Sequence, residues 1–182
     1  MFLSVIILSF LVAELRGGRL RHLRQVDFHR LEWILLAAVI HVGLQMATGR
    51  GWIHLSWWTG LLNVVGYLFL LYGVWPNLHL PGMRLVMAGL LLNLAVIAAN
   101  GGRMPVSPLA LARAGLEQVV PSLAGATTHG LMTEATRLAW LGDVLVLPPP
   151  FWRPAAFSPG DAVAAVGLFW LIQALMKAGR RR

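Results

Sequence analysis

Five apolar segments, separated by polar or charged stretches, constrain the fold of this chain more than any other feature of its sequence. They lie near residues 1-17, 31-48, 59-75, 83-100 and 161-177. A helix needs about 20 residues, within a range of about 17 to 25, to cross the hydrocarbon core of a bilayer. Charged residues make up 12% of the chain, against about 25% in soluble domains. The sequence therefore predicts an all-α polytopic membrane protein: a single membrane domain, residues 1-182, built as a bundle of five transmembrane helices.

The first segment begins at Met1, so a cleavable signal peptide is the alternative to a first spanning helix. In a signal peptide, positive charges precede the apolar stretch and small residues mark the cleavage site. Here the charges follow the apolar stretch, and a small-residue cleavage site is not evident. We therefore expect an uncleaved first helix that extends to about Gly17.

Lysine and arginine are distributed unevenly among the connections. Of the 15 in the chain, one group lies in the first loop, the third loop and the C-terminus: Arg16, Arg19, Arg21, Arg24, Arg30, Arg84, Lys177, Arg180, Arg181 and Arg182. The other five are scattered over the remaining connections. Cytoplasmic loops of membrane proteins collect these residues. We therefore expect a multi-pass protein of the cell (plasma) membrane, with its N-terminus outside and its C-terminus in the cytoplasm.

The net charge of +8 has two interpretations, a nucleic-acid partner or a lipid bilayer. A nucleic-acid module would combine basic and aromatic residues in a recognisable pattern, and the sequence has no such pattern. The lipid bilayer is the partner that we expect, together with a membrane protein partner or a second copy of the chain. Cysteine is absent from the sequence, so disulfides, thiolate metal sites and cysteine nucleophiles are excluded.

Residues 101-160 form a long connection that is too rich in Leu, Ala and Val to be a disordered loop. Ser107 and Pro108 suit the start of one helix. The stretch "THGLMTEATRLAWLG" suggests a second helix, with Thr128 as a cap and Gly142 at its end. The run "LPPPFWRP" predicts an extended segment. We expect an extracytoplasmic cap, made of two amphipathic helices on the outer face.

The turn "ANGGRMPVSP", residues 99–108, ends the fourth segment. Its glycines suit the C-terminal cap of a helix, where a left-handed residue is common. A second interpretation is a rigid turn that presents Asn100 and Arg103 to a ligand, since an arginine fork suits phosphate or carboxylate. His129 is a third candidate ligand-binding residue. It lies in no metal-binding motif such as H-E-x-x-H, so we predict neither a metal nor a cofactor.

Two aspartates follow glycines at the borders of apolar runs, Asp143 in "WLGDVLVLP" and Asp161 in "FSPGDAVAAVG". Prolines between them would let the chain return on itself. Two carboxyl groups held close together cannot both ionise, so such a pair can act as acid and base on a water. The alternative for Asp161 is a helix cap, because an aspartate at a helix N-terminus binds the free amides. The pair is the candidate catalytic site.

Asn63 and Asn93 lie in the middle of the third and fourth segments, at similar distances from the connection between them. We interpret them as a structural polar pair, an amide hydrogen bond across a helix hairpin. His41 and Gln45, four residues apart, share one face of the second helix, and a buried, hydrogen-bonded histidine is the interpretation that we prefer there.

The strings "NGGRMPV" at 100–106, "LGD" at 141–143 and "SPGD" at 158–161 resemble an uncharacterised family of small bacterial integral membrane proteins. The same sequence also resembles the lipoprotein signal peptidases, which are membrane aspartyl proteases. That resemblance implies a catalytic role for Asp143 and for Asp161 at the start of the last helix. Ser158 and Gly160 stand where the peptidase motif has Asn and Ala.

Three functions remain open from the sequence. The one that we favour is a non-enzymatic accessory or lipid/quinone-binding membrane protein. The second is a membrane-embedded hydrolase with an aspartate dyad, Asp143 and Asp161, at the outer face. The third is a small transporter, although Glu14 and Glu32 lie near helix ends whereas transport sites place ionisable groups at mid-depth.

Overall fold

The computed structural model describes residues 2–149 and 154–177. Its α-helices are α1 (Phe2–Leu15), α2 (Leu31–Gly49), α3 (Trp57–Val74), α4 (Met83–Ala99), α5 (Pro108–Arg113), α6 (Val120–Leu123) and α7 (Pro159–Lys177). Its strands are β1 (Met104–Val106), β2 (His129–Leu131), β3 (Leu145–Leu147) and β4 (Ala155–Phe157). Short 3-10 helices cover Leu20–Gln25, Trp75–Asn77, Glu117–Val119 and Ala139–Leu141. The centre of the predicted extended run, 150–153, and the C-terminal arginines lie outside the described residues.

The fold is mostly helical, as predicted, but its helices differ in length. Within residues 2–149 and 154–177, three are long and apolar enough to cross a membrane: α2, α3 with the 3-10 turn that follows it, and α7. The helices at the first and fourth predicted spans are shorter, with 14 residues in α1 and 17 in α4. The first helix ends before the predicted boundary because Gly17 adopts a left-handed conformation, with φ of 79°, which breaks the helical path.

The five longer helices form a row rather than following chain order. α1 packs on α7, α7 on α4, α4 on α3, and α3 on α2. A buried hydrogen bond joins α1 to α7: the Gln173 side-chain amide donates to the Ser9 carbonyl at 2.6 Å. The helices α1 and α2 therefore lie at the two ends of the row. The N-termini of α1, α3 and α7 and the C-termini of α2 and α4 lie at the same end of the bundle as the cap.

Glycines set the close approach of α4 to α7. An added Cβ at Gly89 would lie 2.7 Å from the backbone nitrogen of Ala164 and closer still to the carbonyl of Gly160. A Cβ at Gly167 would lie 2.6 Å from the carbonyl of Gly82. These are distances that packed carbon atoms do not reach, so the two backbones are in direct contact. The start of α7 is thereby held against α4.

The first predicted cap helix is present and starts as the sequence indicates. The Ser107 hydroxyl accepts a hydrogen bond from the Ala110 amide, and Pro108 occupies the first position of α5. Ala110 and Leu111 are buried beneath this helix, so it packs inward against the rest of the cap.

The second predicted cap helix, over "THGLMTEATRLAWLG", is wrong. The segment begins with β2, which pairs in parallel with β1 so that Met104 faces His129. Thr128 does not cap a helix, because its carbonyl accepts the Met104 amide at 2.9 Å. Threonine and glycine are poor helix formers, and β1 leaves backbone groups that need partners. Only the 3-10 turn at Ala139–Leu141, which Gly142 ends, keeps a helical character within this segment.

The chain between the two candidate aspartates does return on itself. Strands β3 and β4 pair antiparallel, with Leu145 opposite Phe157. Asp143 lies just before β3, and Asp161 follows β4 in the first turn of α7. The hairpin therefore brings both aspartates to the same end of the bundle.

Candidate functional site

A cavity of about 360 Å³ lies where the helix row meets the cap. Every long helix contributes to its wall, and so do the cap segments that hold β1 and β2. The lining residues are Phe2, His41, Gln45, Asn63, Tyr67, Ile97, Met104, Thr128, His129, Asp143 and Asp161. Most of them are polar, which is unusual for a space among apolar helices, so this cavity is the candidate functional site.

Asp161 is held by contacts to both of its carboxylate oxygens. The Asn93 amide donates to Oδ1 at 2.7 Å, and the Ser158 backbone amide donates to Oδ2 at 3.3 Å. In return the Ser158 hydroxyl accepts from the Asp161 amide at 2.9 Å, which completes a reciprocal cap at the start of α7. The cap interpretation thus describes Ser158 together with Asp161. It does not exclude a catalytic role, because a carboxylate has about four acceptor sites.

Asp143 is fixed through its backbone rather than its side chain. Its amide donates to the Pro105 carbonyl at 2.8 Å, and its carbonyl accepts from the Ser107 amide at 3.1 Å. The residue is 7% exposed. Burial, reinforced by the negative charge of Asp161, raises the pKa of the Asp143 carboxyl to about 8. The Asp143 carboxyl is therefore mainly protonated at neutral pH.

His129 lies beside Asp143, with its Nε2 4.0 Å from the carboxyl Oδ2. Its Nδ1 lies 2.9 Å from the Thr128 hydroxyl. Loss of hydration lowers the pKa of His129, and the positive charge of Arg103 acts in the same direction, against the negative charge of Asp161. The imidazole is therefore neutral at pH 7, and its contact with the protonated Asp143 carboxyl is not an ion pair.

Two buried acceptor atoms on the cavity wall have no hydrogen-bond partner among the described residues, Asn63 Oδ1 and His41 Nε2. The other nitrogen of His41, Nδ1, lies 2.9 Å from the Ala37 carbonyl. A carbonyl can only accept, so Nδ1 carries a proton, and in the neutral imidazole Nε2 is then an acceptor. Buried polar atoms are nearly always satisfied. Both atoms therefore call for a donor, such as a water or a hydroxyl group, inside the cavity.

The predicted amide pair between Asn63 and Asn93 is wrong. The Asn63 side chain donates to the Gly102 carbonyl at 2.7 Å, while Asn93 binds Asp161 and accepts from the Ser158 hydroxyl at 2.8 Å. Within the described part of the chain, each amide has its own partners and neither is the other asparagine. Other partners are nearer, because the turn after α4 lies against α3 at Gly60 and the start of α7 lies against α4 at Gly89.

Asn100 and Arg103 have structural contacts instead of facing this cavity. The Asn100 side chain binds the backbone of Arg137 in both directions, at 2.8 and 2.9 Å. The Arg103 guanidinium donates to the carbonyls of His129 and Leu123, with all three distances between 2.7 and 3.0 Å. These bonds tie the turn after α4 to the cap. Of the three predicted ligand-binding residues, only His129 lines the cavity.

Tyr67 is a cavity residue that the sequence-based predictions missed. It follows Asn63 by one helical turn, so the two share one face of α3. A phenol and an amide at this spacing, within an otherwise apolar helix, are the signal that could have identified it. No group of three or more His, Asp or Glu side chains in residues 2–149 and 154–177 is arranged to hold a metal ion.

The Asp143 carboxyl is expected to titrate near pH 8. Infrared spectroscopy of the purified protein measures this directly, because a protonated carboxyl has its own carbonyl band. Asp143→Asn should remove the band, and Asp161→Asn should lower its midpoint by removing a negative charge. A wild-type midpoint near the ordinary value, about 4, would contradict the buried placement of Asp143.

Stability should follow the same titration. Because the folded pKa lies above the unfolded value, the folded state binds the extra proton between about pH 4 and pH 8. The free energy of unfolding should therefore fall as the pH rises through this window, by at most about 1.4 kcal/mol per pH unit. In Asp143→Asn this contribution should disappear.

Comparisons with known proteins agree with the predicted uncharacterised family. A family model described as "Family of unknown function (DUF5317)" matches residues 25–173. An "Uncharacterized protein" of Thermotoga maritima is 25% identical over 170 residues, which cover 93% of this chain and 88% of the relative. No solved structure matches the chain.

Proposed function

Because the chain belongs to the DUF5317 family, whose description assigns no activity, we propose a function from the geometry of the chain itself. We propose that it is an integral membrane hydrolase. In this proposal all five long helices cross the bilayer, and the cap lies on the outer face. Asp143 acts as the general acid and Asp161 as the general base on a water molecule in the cavity.

The surface of the helix row supports the placement in a membrane. Large apolar side chains on the outer faces are exposed, including Leu8, Val39 and Leu61, at 55%, 67% and 53%. In water such faces would favour aggregation, whereas in lipid they are solvated. The helices α1 and α4 are shorter than a typical span, and a bilayer accommodates short spans by local thinning. The tryptophans around α3 suit an interfacial belt.

One observation carries the catalytic proposal: two carboxyl groups line one cavity in unlike settings. Asp143 is buried and mainly protonated, whereas both oxygens of Asp161 accept hydrogen bonds from N–H groups. Pairs of titratable groups whose surroundings differ in this way provide an acid and a base at the same pH. The resemblance to lipoprotein signal peptidases, drawn from the sequence alone, points to the same two residues.

The unpartnered acceptors suggest where the water binds. Asn63 Oδ1 and His41 Nε2 are acceptors in need of donors, and a water that donates one of its hydrogens to either atom keeps the other for Asp161. A water held there lies in the same cavity as Asp161. Such fixed positioning lowers the entropic cost of bringing the nucleophile to the reacting group.

The chemistry balances for an amide or ester bond. Asp161 takes a proton from the water as the water oxygen attacks the carbonyl carbon, and Asp143 donates its proton to the carbonyl oxygen. In the second step, Asp143 recovers a proton from a hydroxyl of the tetrahedral intermediate while the carbonyl reforms. The bond to the leaving group breaks, and the leaving group takes the proton held by Asp161. The products are a carboxylic acid and an amine or alcohol.

The polar wall of the cavity is the reason to prefer this proposal over a lipid or quinone site. Pockets for such ligands are lined mostly by apolar side chains with a few polar groups. Here Phe2, Ile97 and Met104 are the apolar lining residues among the eleven that line the cavity. The accessory, lipid/quinone-binding and transporter interpretations remain as outcomes of the test.

The test is a hydrolysis assay with the purified protein in lipid vesicles. A panel of fluorogenic amide and ester substrates is compared between the wild type and the Asp143→Asn/Asp161→Asn double variant. We expect product release by the wild type alone. Equal release by both proteins would overturn the proposal. No release by either, together with a stoichiometric quinone or lipid in an organic extract, would favour the accessory interpretation.

A further inference from the structure

A second and larger cavity, here called the vestibule, lies between the C-terminal end of α2 and the cap. Its volume is about 540 Å³. Residues from the end of α2, the turn that follows it and the cap segment before β2 surround it. They are Gln45, Thr48, Gly49, Ile53, His54, Ser122, Leu123, Gly125, Ala126, Thr127, Thr128 and His129.

The vestibule adjoins the aspartate cavity. Gln45, Thr128 and His129 line both spaces. Gln45 is exposed, whereas Thr128 is buried, so the shared residues extend from the surface to the interior. His129 also approaches Asp143 at 4.0 Å. A group bound in the vestibule would therefore lie next to the proposed acid.

The side chains that line the vestibule include many polar groups. Among the described residues that line it there is no Asp, Glu, Lys or Arg. The polar groups are hydroxyls, one amide and two imidazoles, which can both donate and accept hydrogen bonds. The hydroxyl groups of Thr48 and Thr127, which both line the vestibule, share a hydrogen bond at 2.8 Å. A ligand hydroxyl, which also donates and accepts, matches these groups, whereas a charged ligand would find no counter-charge.

We propose that the vestibule binds an uncharged, hydroxyl-bearing part of the substrate and is its path to Asp143 and Asp161. The identity of the reaction at the end of this path rests on the proposed hydrolase. Binding and passage do not depend on it, so they can be tested without any turnover.

A large side chain can be introduced at either of two glycines that line the vestibule, because each has open space around it. An added Cβ at Gly49 or at Gly125 would meet nothing within 4 Å, and both residues are exposed. Gly125→Trp should therefore occupy the vestibule. Gly43 is the matched control, since it also has open space around it but lies outside both linings.

The experiment uses the absence of native cysteine. Thr128→Cys places a thiol at the junction of the two cavities, and Glu134→Cys provides an exposed reference thiol on the cap. Three methanethiosulfonate reagents are compared: neutral hydroxyethyl, anionic sulfonatoethyl and cationic trimethylammonioethyl. We expect the hydroxyethyl reagent to label Thr128→Cys at least about tenfold faster than the charged reagents, after each rate is divided by its rate at Glu134→Cys. Tenfold corresponds to about 1.4 kcal/mol.

Adding Gly125→Trp should slow labelling of Thr128→Cys at least about tenfold, while Gly43→Trp should leave the rate unchanged. If Gly125→Trp does not fold, Gly49→Trp replaces it. Equal normalised rates for the three reagents would overturn the ligand class. Unchanged labelling in a folded Gly125→Trp or Gly49→Trp variant would overturn the path. Both results can occur with full hydrolytic activity, so they are distinguishable from failure of the proposed function.

Discussion

Asp143→Asn and Asp161→Asn should each lower the hydrolysis rate about a thousandfold in vesicles, within the 10²–10⁴-fold range of general acid–base catalysis. A side-chain amide in place of the Asp143 carboxyl has no acidic proton to donate, and an amide in place of the Asp161 carboxylate cannot take a proton from water. The two losses should not add in the double variant, because acid and base act in the same step. Initial rates at saturating substrate measure this effect on kcat.

A catalytic role for the aspartates is separated from a structural role by the pH dependence of the rate and by a control variant. The wild-type rate should fall above about pH 8, where Asp143 loses its proton, and this limb should be missing in the residual activity of Asp143→Asn. The matched control is Asp27→Asn, since Asp27 is exposed and lies outside the cavity lining. Full activity in either Asp143→Asn or Asp161→Asn would remove that residue from the mechanism.

Gly89→Leu should prevent correct folding of the helix row. Its Cβ would contact the Gly160 carbonyl and lie 2.7 Å from the Ala164 nitrogen. Both atoms belong to the backbone of α7, so no side chain can rotate away and the two helices must separate. Overpacking of a core side chain costs about 1–3 kcal/mol, and separation of two backbones should cost more. We expect loss of monodisperse protein after extraction in mild detergent.

The control for Gly89→Leu is Gly43→Leu. Both glycines lie within long helices, but a Cβ at Gly43 meets nothing within 4 Å and Gly43 is exposed. Gly43→Leu should therefore give the wild-type yield and thermal stability. A folded and stable Gly89→Leu protein would contradict the direct backbone contact between α4 and α7.

Apolar periodicity and charge predict the helices well because both depend on local sequence. The helix predicted after Thr128 is wrong for the opposite reason. The apolar spacing of that segment fits a helix, yet β1, more than twenty residues earlier, takes its backbone as a partner through Met104 and His129. Propensity gives way to such tertiary pairing. In the same way, Asn63 and Asn93 can be placed on helices from the sequence, but not matched to Gly102 and Asp161.

The residues of the candidate site also fall into those that the local sequence identifies and those that only the folded structure identifies. Asp143 and Asp161 stand out in the sequence because acidic residues are scarce, with seven Asp and Glu in all. Arg103 stands out equally, but its guanidinium binds carbonyls that only the folded cap provides. Tyr67 does not stand out, because one phenol in an apolar helix matters only when its neighbours across the cavity are known.

In the described part of the chain, α1 and α2 lie at the two ends of the row of helices, and each forms part of the wall of the aspartate cavity. Phe2 of α1 borders the cavity from one end of the row, and His41 and Gln45 of α2 border it from the other. In the proposed membrane placement, we expect a change in bilayer thickness to tilt the end helices α1 and α2 more readily than it breaks the glycine contacts of α4 and α7. We therefore expect the volume around the two aspartates to vary with lipid chain length, while the contact of α4 with α7 keeps its geometry.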